Sequence, residues 1–146
     1  VRASSELSPS YSAWNVISGM ARILEEETHM WASDTSGTPQ WLELEWEEEA
    51  ALNSIYLTFD TDLNDKNRHT ENLPDTQRMP PECIRDYRVQ IREKGMWKTV
   101  AEVKGNFQRR RIHRFATCKT DCVRIEVEAT NGDPSARVYE VRCYHE

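Results

Sequence analysis

Apolar and polar residues alternate along much of the chain, and the period is two. Leu42, Leu44 and Trp46 fall on one side of "WLELEW". Ile55, Leu57 and Phe59 do so in "SIYLTF", Tyr87, Val89 and Ile91 in "DYRVQI", and Val123, Ile125 and Val127 in "CVRIEVEA". Successive side chains of a strand point to opposite faces, so this spacing predicts strands buried on one face. Glu, Arg, Gln and Thr fill the other face. A strand wet on one side belongs to an antiparallel sheet, because parallel strands covered on both faces read as continuous apolar runs.

Turn residues separate the strands. "EKGMW" (residues 93–97) predicts a short hairpin, "KGN" (104–106) ends its second strand, and "TNGDPS" (130–135) is a compact turn. In "RVYEVRCY", Val138 and Val141 break the alternation, which predicts a bulge that turns Glu140 inward. A helical turn is expected near Pro9–Trp14 or Ala21–Glu27, and no long amphipathic helix is expected. Several short strands with regular turns predict an all-β antiparallel sandwich.

The chain's 146 residues, 38% of them hydrophobic and 30% charged, fit a single domain spanning residues 1–146 with a core of its own. No run approaches the ~18 apolar residues of a membrane span, and no signal-peptide pattern opens the sequence. The first residue is Val1 rather than Met, which favours a domain excised from something longer. Cytoplasmic and exported settings both accommodate it. The net charge of −6 argues against nucleic acid as a partner. The densest basic run, "RRRIHR" (Arg109–Arg114), reads as a solvated strand face.

The four cysteines form no C-x-x-C pair, so zinc is poorly supported. Cys122 and Cys143 sit in apolar strand patterns and read as buried thiols. No disulfide is assigned, and cysteine usage leans towards a reducing compartment.

The stretch "DTDLNDKNRHTE" (residues 60–71) places Asp60, Asp62, Asn64 and Glu71 nearly as in a helix–loop–helix calcium loop. Three features speak against that reading. Asp65 stands where the loop's glycine belongs, a strand precedes the run, and Pro74, Pro80 and Pro81 forbid a helix after it. What remains is a long strand-to-strand connection from Asp60 to Arg85. Such connections are functional or disordered. Arg68, His69, Asn72 and Arg78 would suit hydrogen bonding to a polyol, while a solvated loop is the plain alternative.

The order "NVISG" (15–19), Trp31, "PQWLELEW" (39–46), "RDYRVQI" (85–91), "VAEVKGNF" (100–107), "VRIEV" (123–127) and "ARVYEVRCY" (136–144) resembles the galactose-binding-like jelly roll. That group includes discoidin or factor V/VIII type C domains and family 32 carbohydrate-binding modules. "LTFDTDLN", "GNFQRRRIHRF" and "TNGDPSARVYEVRCY" look like the C-terminal module of some bacterial FAD-dependent oxidoreductases. The resemblance implies ligand loops at one end of a jelly-roll β-sandwich. It also implies a structural calcium, with Ser18, Thr28 and Glu140 as the matching positions; Ser18 stands where the family has Asp. The alternative is that Glu140 caps loop N–H groups without an ion. No other cofactor is expected in the domain itself. For sugar recognition the matching positions are Arg68, His69, Asn72 and His29, with Phe107 as the aromatic platform. Trp31 and Trp41 match family positions that are usually core.

Independent catalysis is the weakest reading. The four histidines are scattered, and no nucleophile elbow, phosphate-binding glycine loop or dinucleotide fingerprint occurs. The first surviving expectation is a structural accessory domain that packs on a parent catalytic domain in the same chain, an FAD-dependent oxidoreductase. The second is a carbohydrate-binding module that carries an attached enzyme to a glycan.

Overall fold

A computed structural model describes residues 1–63 and 79–146. It contains β1 (Arg2–Ala3), β2 (Trp31–Ala32), β3 (Gln40–Phe59), β4 (Ile84–Glu93), β5 (Met96–Val103), β6 (Arg110–Thr130) and β7 (Arg137–Tyr144), with 3-10 turns at Pro9–Tyr11 and Ala13–Ile17. The strand order is β2-β7-β3-β6-β4-β5, with β1 added on β3, and every pairing is antiparallel. Among the described residues no helix is long and apolar enough to cross a membrane.

The sandwich arises because β3 and β6 are long enough to serve both layers. The first half of β3, Gln40–Glu45, pairs with Cys122–Val127 of β6, which in turn pairs with β4. The second half of β3, Ser54–Thr58, pairs with Arg110–Arg114 of β6 on one side and β7 on the other. Register shifts between Glu45 and Ala50 and between Leu52 and Ser54 mark the corner where the strands turn. "WLELEW" and "SIYLTF" are therefore one continuous strand, where the alternation predicts two. The acidic residues between them, Glu47–Glu49, are exposed on the corner.

Between the layers lie Leu42, Tyr87, Val89, Ile91, Val123, Ile125 and Val127 from one sheet and Ile55, Leu57, Phe59, Val138 and Val141 from the other. The rings of Phe59 and Tyr87 meet edge-to-face at 5.1 Å. The Tyr87 hydroxyl lies 2.9 Å from His113 Nε2 and ties the layers together. Trp31 is fully buried and donates from its indole to Ser5 O at 2.9 Å. Trp41 is not core. It lies half-buried on the outer face, with the Arg124 guanidinium 5.2 Å from its ring.

Other details differ from the sequence reading in instructive ways. A helical turn forms at the first of the two expected places; within Ala21–Glu27, Glu25 and Glu26 instead adopt left-handed backbone. The bulge in β7 is present, at the register shift between Thr58 and Phe59. It leaves Glu140 beside Thr58 on the outer face, not inward. All four cysteines are free thiols. Cys122 is buried, and burial pushes its thiol up to about 11; Cys143 is only half-buried.

Candidate functional site

The loops that connect the two layers gather at one end of the sandwich. Asn131 organises them: its backbone N–H donates to Cys83 O at 3.0 Å, and its side-chain amide donates to Cys83 O and Asn106 O, each at 3.0 Å. Asn106 is buried and donates to Ile84 O at 2.8 Å, while Asp133 N donates to Pro81 O at 3.0 Å. Gly132 sits at φ +143 with Pro81 Cβ 3.3 Å from where a side chain would begin, so a larger residue would be strained there. These bonds satisfy backbone groups that leave the ladders, and they brace the stretch from Pro81 to Ile84 that leads into β4.

A charged cluster lies at the end of β3. Asp60 is buried, accepts from Asp62 N at 2.8 Å, and faces Arg137 at 3.6 Å; Arg137 also holds Asp133 at 3.0 Å. Arg109 donates to Phe59 O at 3.1 Å and to Ala21 O, and its guanidinium lies 4.8 Å from the Tyr139 ring centroid. Burial raises the Asp60 carboxyl above its ordinary value of 3.8, against the lowering effects of the Asp62 N–H and Arg137. The stability tied to Asp60 is therefore present below that unfolded value and is lost as pH rises through the higher folded value. Asp60→Asn removes the titration. Its melting temperature relative to the wild type is expected to climb as pH rises from about 4 towards 7. A difference that stays flat across this window would show that Asp60 ionises without cost.

Phe107 projects from this end and is 61% exposed, between the buried Asn106 and the backbone-tethered Arg109. Arg68, His69 and Asn72, expected to bind sugar, lie outside the described residues, as does Arg78. His29 belongs to a cavity whose lining does not include Phe107. It has φ 49, lies 3.6 Å from Glu27, and lines a cavity of about 300 Å³ with Ser10, Asn15 and Thr28.

The three positions expected to hold calcium do not line one common cavity. Thr28 Oγ1 donates to Ser10 O at 2.5 Å in the His29 cavity. Ser18 Oγ accepts from Met20 N at 3.3 Å. Glu140 lines a different cavity with Val16, Ile17 and Gly19, and its carboxylate accepts from Arg142 at 2.5 Å. Calcium wants about six to eight oxygens with negative charge among them. The Glu140 carboxylate, paired with the Arg142 guanidinium, is the one acidic group among the three positions. Among the described residues no group of three or more His, Cys, Asp or Glu converges as a metal site.

Two surface features escaped the sequence reading. Trp14 is 61% exposed, at the head of a stretch in which Ile17, Met20 and Ile23 are also exposed. Being in a 3-10 turn, it carries no period-two signal. The outer face of the second layer holds Tyr56, Thr58, Arg110, Glu140, Arg142 and Tyr144 around one cavity. The alternation marks Tyr56 and Thr58 as wet, without saying that they line a concavity with residues of β6 and β7.

No protein-family model matches the chain, and no curated protein matches it. Solved structures do. Chitosan-binding module 1 from a chitosanase/glucanase of Paenibacillus sp. IK-5 superposes with a TM-score of 0.76 at 17% identity, over 99% of this chain and 92% of that one. The family 32 carbohydrate-binding module of Clostridium perfringens NanJ, in complex with galactose, gives 0.73 at 20% identity, over 99% and 91%. A Ruminococcus gnavus GH29 fucosidase gives 0.71 at 16% identity, over 99% of this chain but 24% of that longer one. At such identities the likeness is one of fold, and the fold of this chain is the galactose-binding-like jelly-roll sandwich.

Proposed function

We propose that the chain is a non-catalytic carbohydrate-binding module, a single domain over residues 1–146, whose end loops hold a glycan and keep an attached enzyme beside it. The observation that carries this reading is the braced loop end with Phe107 standing exposed upon it. An aromatic face packs against the C–H surface of a sugar ring, and nearby polar groups then select its hydroxyls. The Asn131 and Asn106 bonds hold the loops in place beforehand, which lowers the ordering cost of binding. The sandwich resembles modules solved with sugars, and it occurs as part of a longer GH29 fucosidase chain, which supports both the ligand class and an attached catalytic domain.

The test is a glycan array on the chain, followed by calorimetry on any ligand found. Phe107→Ala is expected to weaken binding by about tenfold or more, as loss of an aromatic anchor does. Its exposure means that stability should change by less than about 0.5 kcal/mol. Unchanged affinity would remove the end loops from the site.

A second reading is an accessory domain that packs on its parent enzyme, with the FAD-dependent oxidoreductase expected from the sequence as that parent. One observation favours it: Trp14, Ile17, Met20 and Ile23 expose apolar surface within a single short segment. A silent glycan array would favour this role.

A further inference from the structure

The outer face of the second layer bears a site that neither the loop end nor the core explains. Register places three cross-strand rows there: Glu140–Thr58–Arg110, Arg142–Tyr56–Ile112 and Tyr144–Ser54–Arg114. From these rows Tyr56, Thr58, Arg110, Glu140, Arg142 and Tyr144 line a cavity of about 350 Å³. A second cavity of about 290 Å³ shares Glu140 and Arg142 with it and is walled by Ile17 and Gly19. The two cavities adjoin at Glu140 and Arg142 of β7 and are taken together as one groove.

The chemistry of the groove is specific. Tyr56 and Tyr144 meet edge-to-face at 5.0 Å and present ring surface to solvent. The Arg110 guanidinium lies 5.4 Å from the Tyr56 centroid. Arg142 is neutralised by Glu140 at 2.5 Å, and Arg114 faces Glu146 at 3.4 Å. Arg110 has no carboxylate partner among the described residues, and the Thr58 hydroxyl beside it has no hydrogen-bond partner among them. In a protein of net charge −6, this guanidinium thus has no anionic partner among the described residues and lies next to a stacking surface. A guanidinium fork matches a planar carboxylate with two parallel N–H···O bonds, and holding it over a ring leaves its edge free to donate.

We propose that this groove binds a uronate-containing saccharide. The sugar carboxylate pairs with Arg110, a ring packs on Tyr56 and Tyr144, and hydroxyl groups meet Thr58 and the Glu140–Arg142 pair. The site is separate from the end loops and does not depend on Phe107.

Calorimetry of the full chain with a trimer of galacturonic acid tests it, against the neutral galactose trimer. The acidic trimer is expected to bind and to weaken as salt rises from about 0.05 to about 0.5 M. Arg110→Ala should weaken it by about tenfold or more. Thr58→Val should weaken it several-fold, and both variants should keep the wild-type melting temperature. Phe107→Ala should leave the acidic trimer's affinity unchanged while lowering that of any neutral glycan held by the end loops, so the two sites can fail independently. Four results would each overturn the proposal: no binding at about 10 mM, equal affinity for the neutral trimer, an Arg110→Ala affinity within twofold of the wild type, or loss of binding in Phe107→Ala. A sulfated disaccharide bound as tightly as the uronate would overturn the carboxylate assignment.

Discussion

Glu43→Ala is expected to destabilise the domain by about 3 kcal/mol, the lower end of the range for breaking a buried ion pair from one side. Glu43 is 2% exposed although it lies on the outer face of the first layer. The cover comes from its partners: Arg2 donates to it at 2.9 Å, and Arg124 donates from Nε at 2.7 Å and also from its terminal nitrogen. Arg124 is itself held between Trp41 and Trp97, 5.2 and 4.1 Å from their centroids. Removing the carboxylate leaves that guanidinium with aromatic neighbours and no anion among the described residues, and it removes one of the two carboxylates that Arg2 of β1 meets on β3. Arg124 keeps some solvent access, which sets the lower end of the range. Urea unfolding of the wild type, Glu43→Ala, Arg124→Ala and the double variant would measure the coupling directly. The double variant should be less destabilised than the sum of the singles, because each single strands the other partner. Strict additivity would mean that the pair acts only by filling space.

The layers were legible in the sequence because each core-facing run keeps its period over several residues and its wet face is strongly polar. Ile55–Leu57–Phe59 and Val123–Ile125–Val127 could be assigned to one buried face without any tertiary information. The corner of β3 was not legible, because a bulged segment exposed on both sides looks like a loop. Glu140 shows a similar limit. The Val138–Val141 spacing reveals the bulge, yet which face Glu140 takes is decided by its pairing with Thr58, a residue far away in sequence.

The candidate sites were less legible, since a site is a convergence and a period is local. "RRRIHR" reads correctly as a strand with a wet face, but its arginines part company in three dimensions. Arg109 ties down Phe59 O, and Arg111 donates to Asn106 Oδ1 at 3.2 Å. Arg110 is left over Tyr56. His113 in the same run points into the core, where a count of scattered histidines gives no hint of its role.

His113 is expected to make the fold acid-labile, at a cost of about 3 kcal/mol between neutral pH and pH 4. It is 9% exposed, it meets the Tyr87 hydroxyl at Nε2, and burial with help from the nearby Arg111 charge lowers it from 6.5 to about 4. The folded state therefore holds a neutral imidazole where the unfolded chain binds a proton. For a base shifted downward, stability is intact above the unfolded value of 6.5, falls as pH drops below it, and levels off near 4. Asp60 works in the opposite direction over the lower part of this window, so the net slope of the wild type is shallower than the His113 contribution alone. His113→Gln separates them: the amide can still bond to Tyr87 but cannot titrate. At pH 7 the variant should be the less stable of the two, by about 1 kcal/mol for imperfect packing. By about pH 4 the order should reverse, because only the wild type has lost its imidazole contribution. Unfolding curves that run parallel across the range would show that the imidazole takes up its proton inside the fold. The consequence reaches the loop end, since His113, Tyr87 and Phe59 form one stack and Phe59 leads directly into Asp60. Protonating that stack should loosen the base from which the ligand loops rise, and glycan affinity should fall with pH in parallel with stability in the wild type but not in His113→Gln.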